Sequence, residues 1–237
     1  MRLARWLPAV VAGLAGCTAI APAPPVPRPY WVSVAPDCSL DAVTADADGL
    51  IAAGLRDAGY RLIVAACNHS PHRGAVAAAL RERGVTLTAA LPPRAAEVRA
   101  TGVEVAGLRT ELTAAVMAVS PWVVMGRPDS LPAAVLAILA NHDVLALAGD
   151  SRAAFGGTVR EDSEAVVRSR AIGTKGLIVS LTNRRRDAAA IGVPIALLGL
   201  TGTIRGVDAW TGQEVVSRAG WLGGTVGAGD TILLEIV

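Results

Sequence analysis

The stretch Tyr60-Arg61-Leu62-Ile63-Val64-Ala65-Ala66-Cys67-Asn68 decides how the chain folds. Its apolar run reads as a strand from Tyr60 to Ala66. Upstream, Val43, Ala47, Leu50, Ile51 and Leu55 recur at helical spacing, so Ala42 to Ala58 reads as a helix. Ser39 or Asp41 caps its start and Gly59 sits where it stops. Further upstream, Tyr30-Trp31-Val32-Ser33-Val34 reads as a short strand. Strands alternating with short helices imply βαβ units, whose strands run parallel.

The unit repeats downstream. Gly74 to Arg83 reads as a helix ending at Gly84, and Val85 to Leu91 as a strand. Pro93 to Thr101 reads as a helix ending at Gly102, followed by a strand over Val103 to Leu108. Thr110 to Met117 reads as a longer helix and Trp122 to Met125 as a strand. Ser130 with Pro132 opens a helix through Ala140, and Val144 to Ala148 reads as the last apolar strand of this half. After Ser151 the pattern changes. The charged stretch Arg160 to Arg170 takes in the first strand of a new part. Leu177 to Thr182, Ala189 to Ile195, Ile204 to Trp210 and Thr231 to Val237 then read as strands separated by turns. The expected architecture is α/β plus all-β: an incomplete (β/α) barrel of the TIM type over residues 30–155, then a small antiparallel β-sandwich over 156–237. Tyr30 to Asp150 is too short for eight βα units, since a full barrel takes roughly 250 residues, and leaves room for about five.

Composition limits the function. Of 237 residues, 52% are hydrophobic but only 3% aromatic, so the core is built from small aliphatic side chains and buries less area per residue. The formal net charge of +2 argues against a nucleic-acid partner. The one dense basic run, Arg184-Arg185-Arg186, reads as a solvated hairpin turn.

At the N-terminus, Arg2 and Arg5 precede a short apolar stretch, Leu7 to Leu14, which is a poor transmembrane span because a span needs about 20 apolar residues. Leu14-Ala15-Gly16-Cys17 then reads as a bacterial lipobox. On that reading residues 1–16 are a lipoprotein signal peptide, and the Cys17 thiol takes a diacylglyceryl group and becomes the mature N-terminus. Two or more acyl chains anchor stably where one does not. The alternative is an ordinary secretory peptide cut elsewhere. Thr18 follows Cys17, so nothing there resembles an inner-membrane retention aspartate. Residues 17–29 form a tether whose prolines favour an extended, semi-rigid spacer. The expected location is the bacterial cell envelope, lipid-anchored on the outer side of the cytoplasmic membrane or in the outer membrane. The membrane is the first partner, and a carbohydrate or an envelope protein the second. With Cys17 lipidated, Cys38 and Cys67 remain. In an oxidising compartment they form one disulfide or stay as two buried thiols.

The βα half followed by an antiparallel half resembles glycoside hydrolase family 27, the α-galactosidases and α-N-acetylgalactosaminidases. Three stretches carry the resemblance. Trp31 to Tyr60 is similar to the family's opening: a tryptophan, a cysteine-bearing loop, a helix and an Ala-Gly-Tyr that begins the second strand. Leu136 to Leu147, with Asp150 beyond it, looks like the family's final barrel helix and strand. Leu181-Thr182-Asn183-Arg184, Val207-Asp208-Ala209-Trp210 and the closing apolar strand are similar to its sandwich domain. The resemblance implies a disulfide between Cys38 and Cys67, which ties the first two βα units.

The departures bear on activity. The family opens Gly-Trp-Asn-Ser-Trp, and this chain has Tyr30-Trp31-Val32-Ser33-Val34. The family's second strand ends in an aspartate pair that holds sugar hydroxyls, and this chain has Ala65-Ala66. The family's nucleophile sits on a strand reading Gly-Val-Asp-x-x-Lys-Tyr-Asp. Its nearest match here, Gly102 to Arg109, places Gly107 at the lysine and Arg109 at the nucleophile. The segment with the acid/base aspartate is absent. Retaining glycoside hydrolysis needs two carboxyl groups about 5 to 5.5 Å apart, and an arginine cannot attack an anomeric carbon. No catalytic residue is assigned. A hydrolase of altered specificity using Glu104 or Asp150 is the alternative. A third reading makes the chain a structural remnant whose exposed barrel edge pairs with a partner protein.

Other motifs add nothing. His69-Ser70-Pro71-His72 lacks a third ligand and reads as loop histidines. Asp46-Ala47-Asp48-Gly49 fails as an EF-hand, because Thr44 and Leu55 stand where the first and closing ligands belong. There is no phosphate loop and no Gly-x-Ser-x-Gly elbow, so no cofactor and no metal are expected. Asp129, Asp143, Asp150 and Glu104 read as helix caps and surface charge.

Overall fold

Ser39 accepts a hydrogen bond from the Ala42 N–H (3.3 Å) and so starts the first helix, α1, Leu40–Ala52. A helix start leaves N–H groups unpaired, and a serine at this position satisfies one of them. The computed structural model describes residues 29–33, 38–150, 156–174 and 176–236. The helix expected to reach Ala58 breaks at Gly54, which takes φ +71°, and resumes as the single turn α2, Leu55–Ala58. Glycine holds that left-handed backbone without a Cβ clash.

Five strands make the parallel sheet: β1 (Pro29–Val32), β2 (Leu62–Val64), β3 (Thr86–Thr88), β4 (Ala96–Arg99) and β5 (Trp122–Met125). Helix α3 (Arg73–Glu82) joins β2 to β3, α4 (Val105–Met117) joins β4 to β5, and α5 (Ala133–Leu139) and α6 (His142–Ala148) follow. The strand order is β3-β2-β1-β5-β4, every pairing parallel. In a closed eight-stranded barrel, consecutive strands follow one another around the ring. Here β2 and β3 run outward from one side of β1, and β5 and β4 from the other. That is the order of the first three and last two strands of such a ring, with the shortfall in one place, between Thr88 and Ala96.

Residues 89–95 cross that opening. Asn68, just beyond the C-terminal end of β2, donates to the Ala89 carbonyl (3.5 Å). Ser120, just before β5, donates to the Arg94 carbonyl (2.6 Å). The link therefore returns the chain from the C-terminal to the N-terminal end of the sheet along its open side.

Three expectations are overturned. Pro93 to Thr101 is not a helix but holds β4, Val103 to Leu108 is not a strand but opens α4, and Val144 to Ala148 is not a strand but lies in α6. Ala96 to Arg99 pairs along β5 and buries Val98, and this pairing outweighs the helix preference of its alanines. Gly102, read as a helix stop, has φ +68° and turns the chain from β4 towards α4.

The second half is antiparallel. β6 (Gly157–Glu161), β7 (Ala165–Ile172), β8 (Gly176–Asn183), β10 (Arg205–Asp208), β11 (Glu214–Val216) and β13 (Thr231–Ile236) form a sheet in the order β11-β10-β13-β8-β7-β6. β9 (Ala189–Pro194) and β12 (Trp221–Val226) pair as a two-stranded sheet that packs on it. Val167, Val179, Leu181 and Leu234 face that small sheet and share a core with Ile191, Val193 and Leu222. Ile178 and Leu233 join the core of the α/β half instead. The result is an α/β layer followed by a β-sandwich.

The two halves are joined by polar contacts that bridge α4 and α6 to the large sheet. The Trp210 indole N–H donates to Thr113 Oγ1 (3.0 Å), and Asn141 Nδ2 donates to the Ala209 carbonyl (3.1 Å). Arg109 forms a two-pronged ion pair with Asp230, one prong 3.0 Å long. Arg170, almost fully buried, donates to the Leu147 carbonyl in the last turn of α6 (2.8 Å), where a cation complements the negative end of the helix.

Candidate functional site

The barrel-like half offers two surfaces that could hold a ligand: the C-terminal ends of its strands and the sheet face that a closed barrel would enclose. Register fixes which residues share a face, because side chains alternate along each strand. Trp31, Ile63, Val98 and Val124 lie in one row, are at most 1% exposed, and pack with Leu50, Leu80 and Leu112 of the helices. Tyr30, Val32, Leu62, Val64, Val123 and Met125 belong to the opposite, inner face, joined there by Thr86, Thr88, Glu97 and Arg99. None of these inner residues belongs to the helix-packed core. Apart from Val123 they are half-buried or exposed, Met125 at 49%.

At the strand ends, Cys38 and Cys67 are joined by a disulfide with Cα atoms 5.1 Å apart, tying the loop after β1 to the end of β2. Ala65 is buried, Ala66 is exposed, and Asn68 accepts from Arg73 (3.0 Å). Trp31 is fully buried. Its indole N–H donates to the Gly126 carbonyl (2.9 Å) and its ring meets Tyr60 edge-on. A side chain so enclosed cannot stack on a sugar. Burial pushes the Tyr60 phenol well up, and it accepts the Trp122 indole N–H (3.2 Å).

The carboxylates are placed for other work. Glu97 is the only one on the five parallel strands, and it is exposed on the inner face. Asp46 lies on α1. Burial raises its carboxyl above the ordinary 3.8, opposed by a hydrogen bond with Ser33 and the nearby Arg127 charge. Asp129 pairs with Arg127 (2.8 Å). Glu111 accepts the Arg99 N–H (3.0 Å). Glu104 immediately precedes α4, whereas Asp150 accepts the Gly173 N–H (2.7 Å) in the turn between β7 and β8. Of the two acids considered for an altered hydrolase, Glu104 thus stands at the start of α4, whereas Asp150, beyond α6, is engaged by a turn of the sandwich half.

The match of Gly102 to Arg109 with the family's nucleophile strand does not survive. These residues form the turn and first helical residues of α4, and Arg109 points to Asp230 of the sandwich. Sequence reading went astray because Val103-Glu104-Val105 alternates like a strand over too short a run to tell from a helix start. His69 and His72 are exposed, and no group of three or more metal-ligating side chains occurs among the described residues. Asp46 to Gly49 lies inside α1, where it cannot wrap an ion. Cys17 lies outside the described residues. Sequence reading missed the apolar inner face. The signal was present in Leu62-Ile63-Val64 and Trp122-Val123-Val124-Met125, apolar at every position and so apolar on both faces.

These features define a class: an α/β layer and sandwich with the fold of the family 27 glycoside hydrolases. The α-galactosidase of Saccharomyces cerevisiae, solved with raffinose, superposes with a TM-score of 0.75 at 11% identity over 90% of this chain and 97% of that one. α-Galactosidase I from Mortierella vinacea gives 0.69 at 11% identity, over 90% and 97%. A family 27 β-L-arabinopyranosidase from Geobacillus stearothermophilus gives 0.53 at 13% identity, over 81% of this chain and 60% of that one. No protein-family profile and no curated protein matches the sequence. At such identities the likeness establishes the fold alone.

Proposed function

We propose that the chain is a bacterial envelope lipoprotein, anchored through Cys17, that keeps an α-galactosidase-like scaffold without its hydrolytic chemistry and binds glycan or another envelope component. The observation that carries this reading is the carboxylate count on the parallel sheet. Glu97 stands alone there, and among the described residues no second acid faces it from a strand. Retaining hydrolysis requires a pair about 5 to 5.5 Å apart, one to attack and one to protonate the leaving oxygen. The carbohydrate-active neighbours favour a sugar as ligand. The half-exposed apolar inner face favours an envelope partner, since a monomer at ease in water seldom leaves such a surface bare.

The test is hydrolysis of an aryl α-galactoside by the purified protein. No turnover above the uncatalysed rate is expected. Turnover abolished by a single substitution at Glu97, Glu104 or Asp150 would overturn the reading. A glycan array then separates sugar binding from a protein partner, and loss of radiolabelled palmitate in Cys17→Ser tests the anchor.

A further inference from the structure

A cleft away from the inner face of the parallel sheet lies between α4 and the large antiparallel sheet, with a volume of about 330 Å³. Thr110 and Thr113 line it from the helix, and Arg168, Ser180, Thr182 and Arg184 from the sheet. Arg168 and Ser180 are directly opposite each other on β7 and β8, so they share the face that looks at α4.

What distinguishes this cleft is its unspent hydrogen-bonding capacity. Ser180 is only 2% exposed as a residue, but its hydroxyl still opens to the cleft and makes no hydrogen bond among the described residues. Arg168 is half-buried and its guanidinium makes no ion pair or hydrogen bond among the described residues. Arg184 is committed elsewhere, to Glu161 (2.6 Å) and the Asp162 carbonyl (3.0 Å). Thr113 accepts the Trp210 indole N–H, which leaves its own proton unused. Thr231 donates to Thr182 (3.0 Å), and Thr110 donates to the Gly229 carbonyl (2.9 Å). A hydroxyl has one proton to give, so that of Thr182 is also left for the cleft.

Acceptors are scarce by comparison. No carboxylate lines the cleft. Asp230, next to Gly229, is held by Arg109 and by the Thr231 N–H (2.8 Å). A cavity rich in unpaired donors and poor in acceptors selects an acceptor-rich, negatively charged guest. The planar fork of one free arginine matches a carboxylate bidentately. The space exceeds a bare oxyanion and falls at the small end of the range for organic ligands. The hydroxyl wall supplies donors to ring and hydroxyl oxygens, and Val166 and Ala114 give an apolar side for a sugar's C–H face.

We propose that this cleft is a binding site for a hexuronic acid, with Arg168 holding its carboxylate and Ser180, Thr182 and Thr113 its neighbouring oxygens. The site is independent of the inner face of the parallel sheet, and neither reading requires the other.

Calorimetric titration of the purified full-length chain with galacturonate and glucuronate, against galactose and inorganic phosphate, tests it. At least one uronate is expected to bind, with galactose and phosphate each weaker by about tenfold or more, because the first lacks the charge and the second the hydroxyl-bearing ring. Arg168→Gln is expected to weaken uronate about tenfold or more, and Ser180→Ala by a smaller factor. Arg168→Lys keeps the charge but loses the fork, and is expected to fall between parent and Arg168→Gln. An unchanged melting temperature in these variants separates lost binding from lost fold. The proposal is overturned if neither uronate binds, if galactose binds as well, if phosphate alone binds as well as the uronate, or if Arg168→Gln leaves affinity unchanged.

Discussion

The two large sheets of this molecule differ in how they treat their faces. The antiparallel sheet buries both: Ile178 and Leu233 join the core of the α/β half, and Val179, Leu181 and Leu234 pack against β9 and β12. The parallel sheet buries only one. Its helix side is closed over Trp31, Ile63 and Val124, while Val32, Leu62, Val64 and Met125 remain accessible on the other. Parallel sheets are ordinarily covered on both faces, and a barrel achieves this by curling the sheet onto itself. Here the strands that would complete the curl are missing, but the apolar character of the face they would cover is kept. The difference is that the open parallel sheet keeps an apolar inner face that a closed barrel would cover.

The largest test compares faces within one strand of the covered sheet. Ile178→Ala and Leu181→Ala remove fully buried side chains from opposite faces of β8. Each is expected to cost about 2–5 kcal/mol in denaturant unfolding. One of the two costing nothing would break the two-faced description. The same test on the open sheet should be lopsided: about 2–5 kcal/mol for Ile63→Ala and about 1 kcal/mol for its neighbour Leu62→Ala. Equal costs would mean that the inner face is covered in solution, and light scattering would then reveal a dimer. At the joint between the halves, Arg109→Ala leaves the mostly buried Asp230 without its ion pair. A loss of about 1–3 kcal/mol is expected, read as a lower denaturation midpoint.

The smallest effect concerns Asp46. Burial raises its folded pKa, so between the unfolded and folded values the native chain holds more protons than the unfolded one. Stability therefore falls as pH rises through that window. Asp46→Asn should melt slightly higher than the parent at pH 7, with the difference closing below about pH 4. A variant that melts lower at every pH would show that Ser33 and Arg127 outweigh the burial cost.

Much of this was legible in the sequence, and the failures have physical causes. The first two strands, the helix with its Ser39 cap, α3, β5 and the sandwich strands β8, β9, β10 and β13 carry either clean periodicity or unbroken apolar runs between turn residues, whereas β11 and β12 were not read. Between Pro93 and Leu108 the reading slipped by one element. Its cause is Ala95-Ala96-Glu97, a helix-favouring run that becomes strand only because β5 is there to pair with it. Once that helix was placed, Gly102 became its stop and the real helix start at Glu104 was read as a strand. That no carboxylate follows β2 directly was legible at Ala65-Ala66. The inter-half cleft was not, because its residues come from α4, β7, β8 and a turn near the C-terminus, and no local pattern joins them.

The position of β1 in the middle of the parallel sheet also sets an order of assembly. Tyr30 finds its partner Leu62 just after α1 and α2, but its partner on the other side, Val123, belongs to a much later part of the chain. Loop closure grows costlier with chain length, and non-local pairings slow folding. The first three strands can therefore collect as a unit while the edge of β1 waits, open, for β5 to arrive. That waiting edge is where the folding chain is most exposed to mispairing.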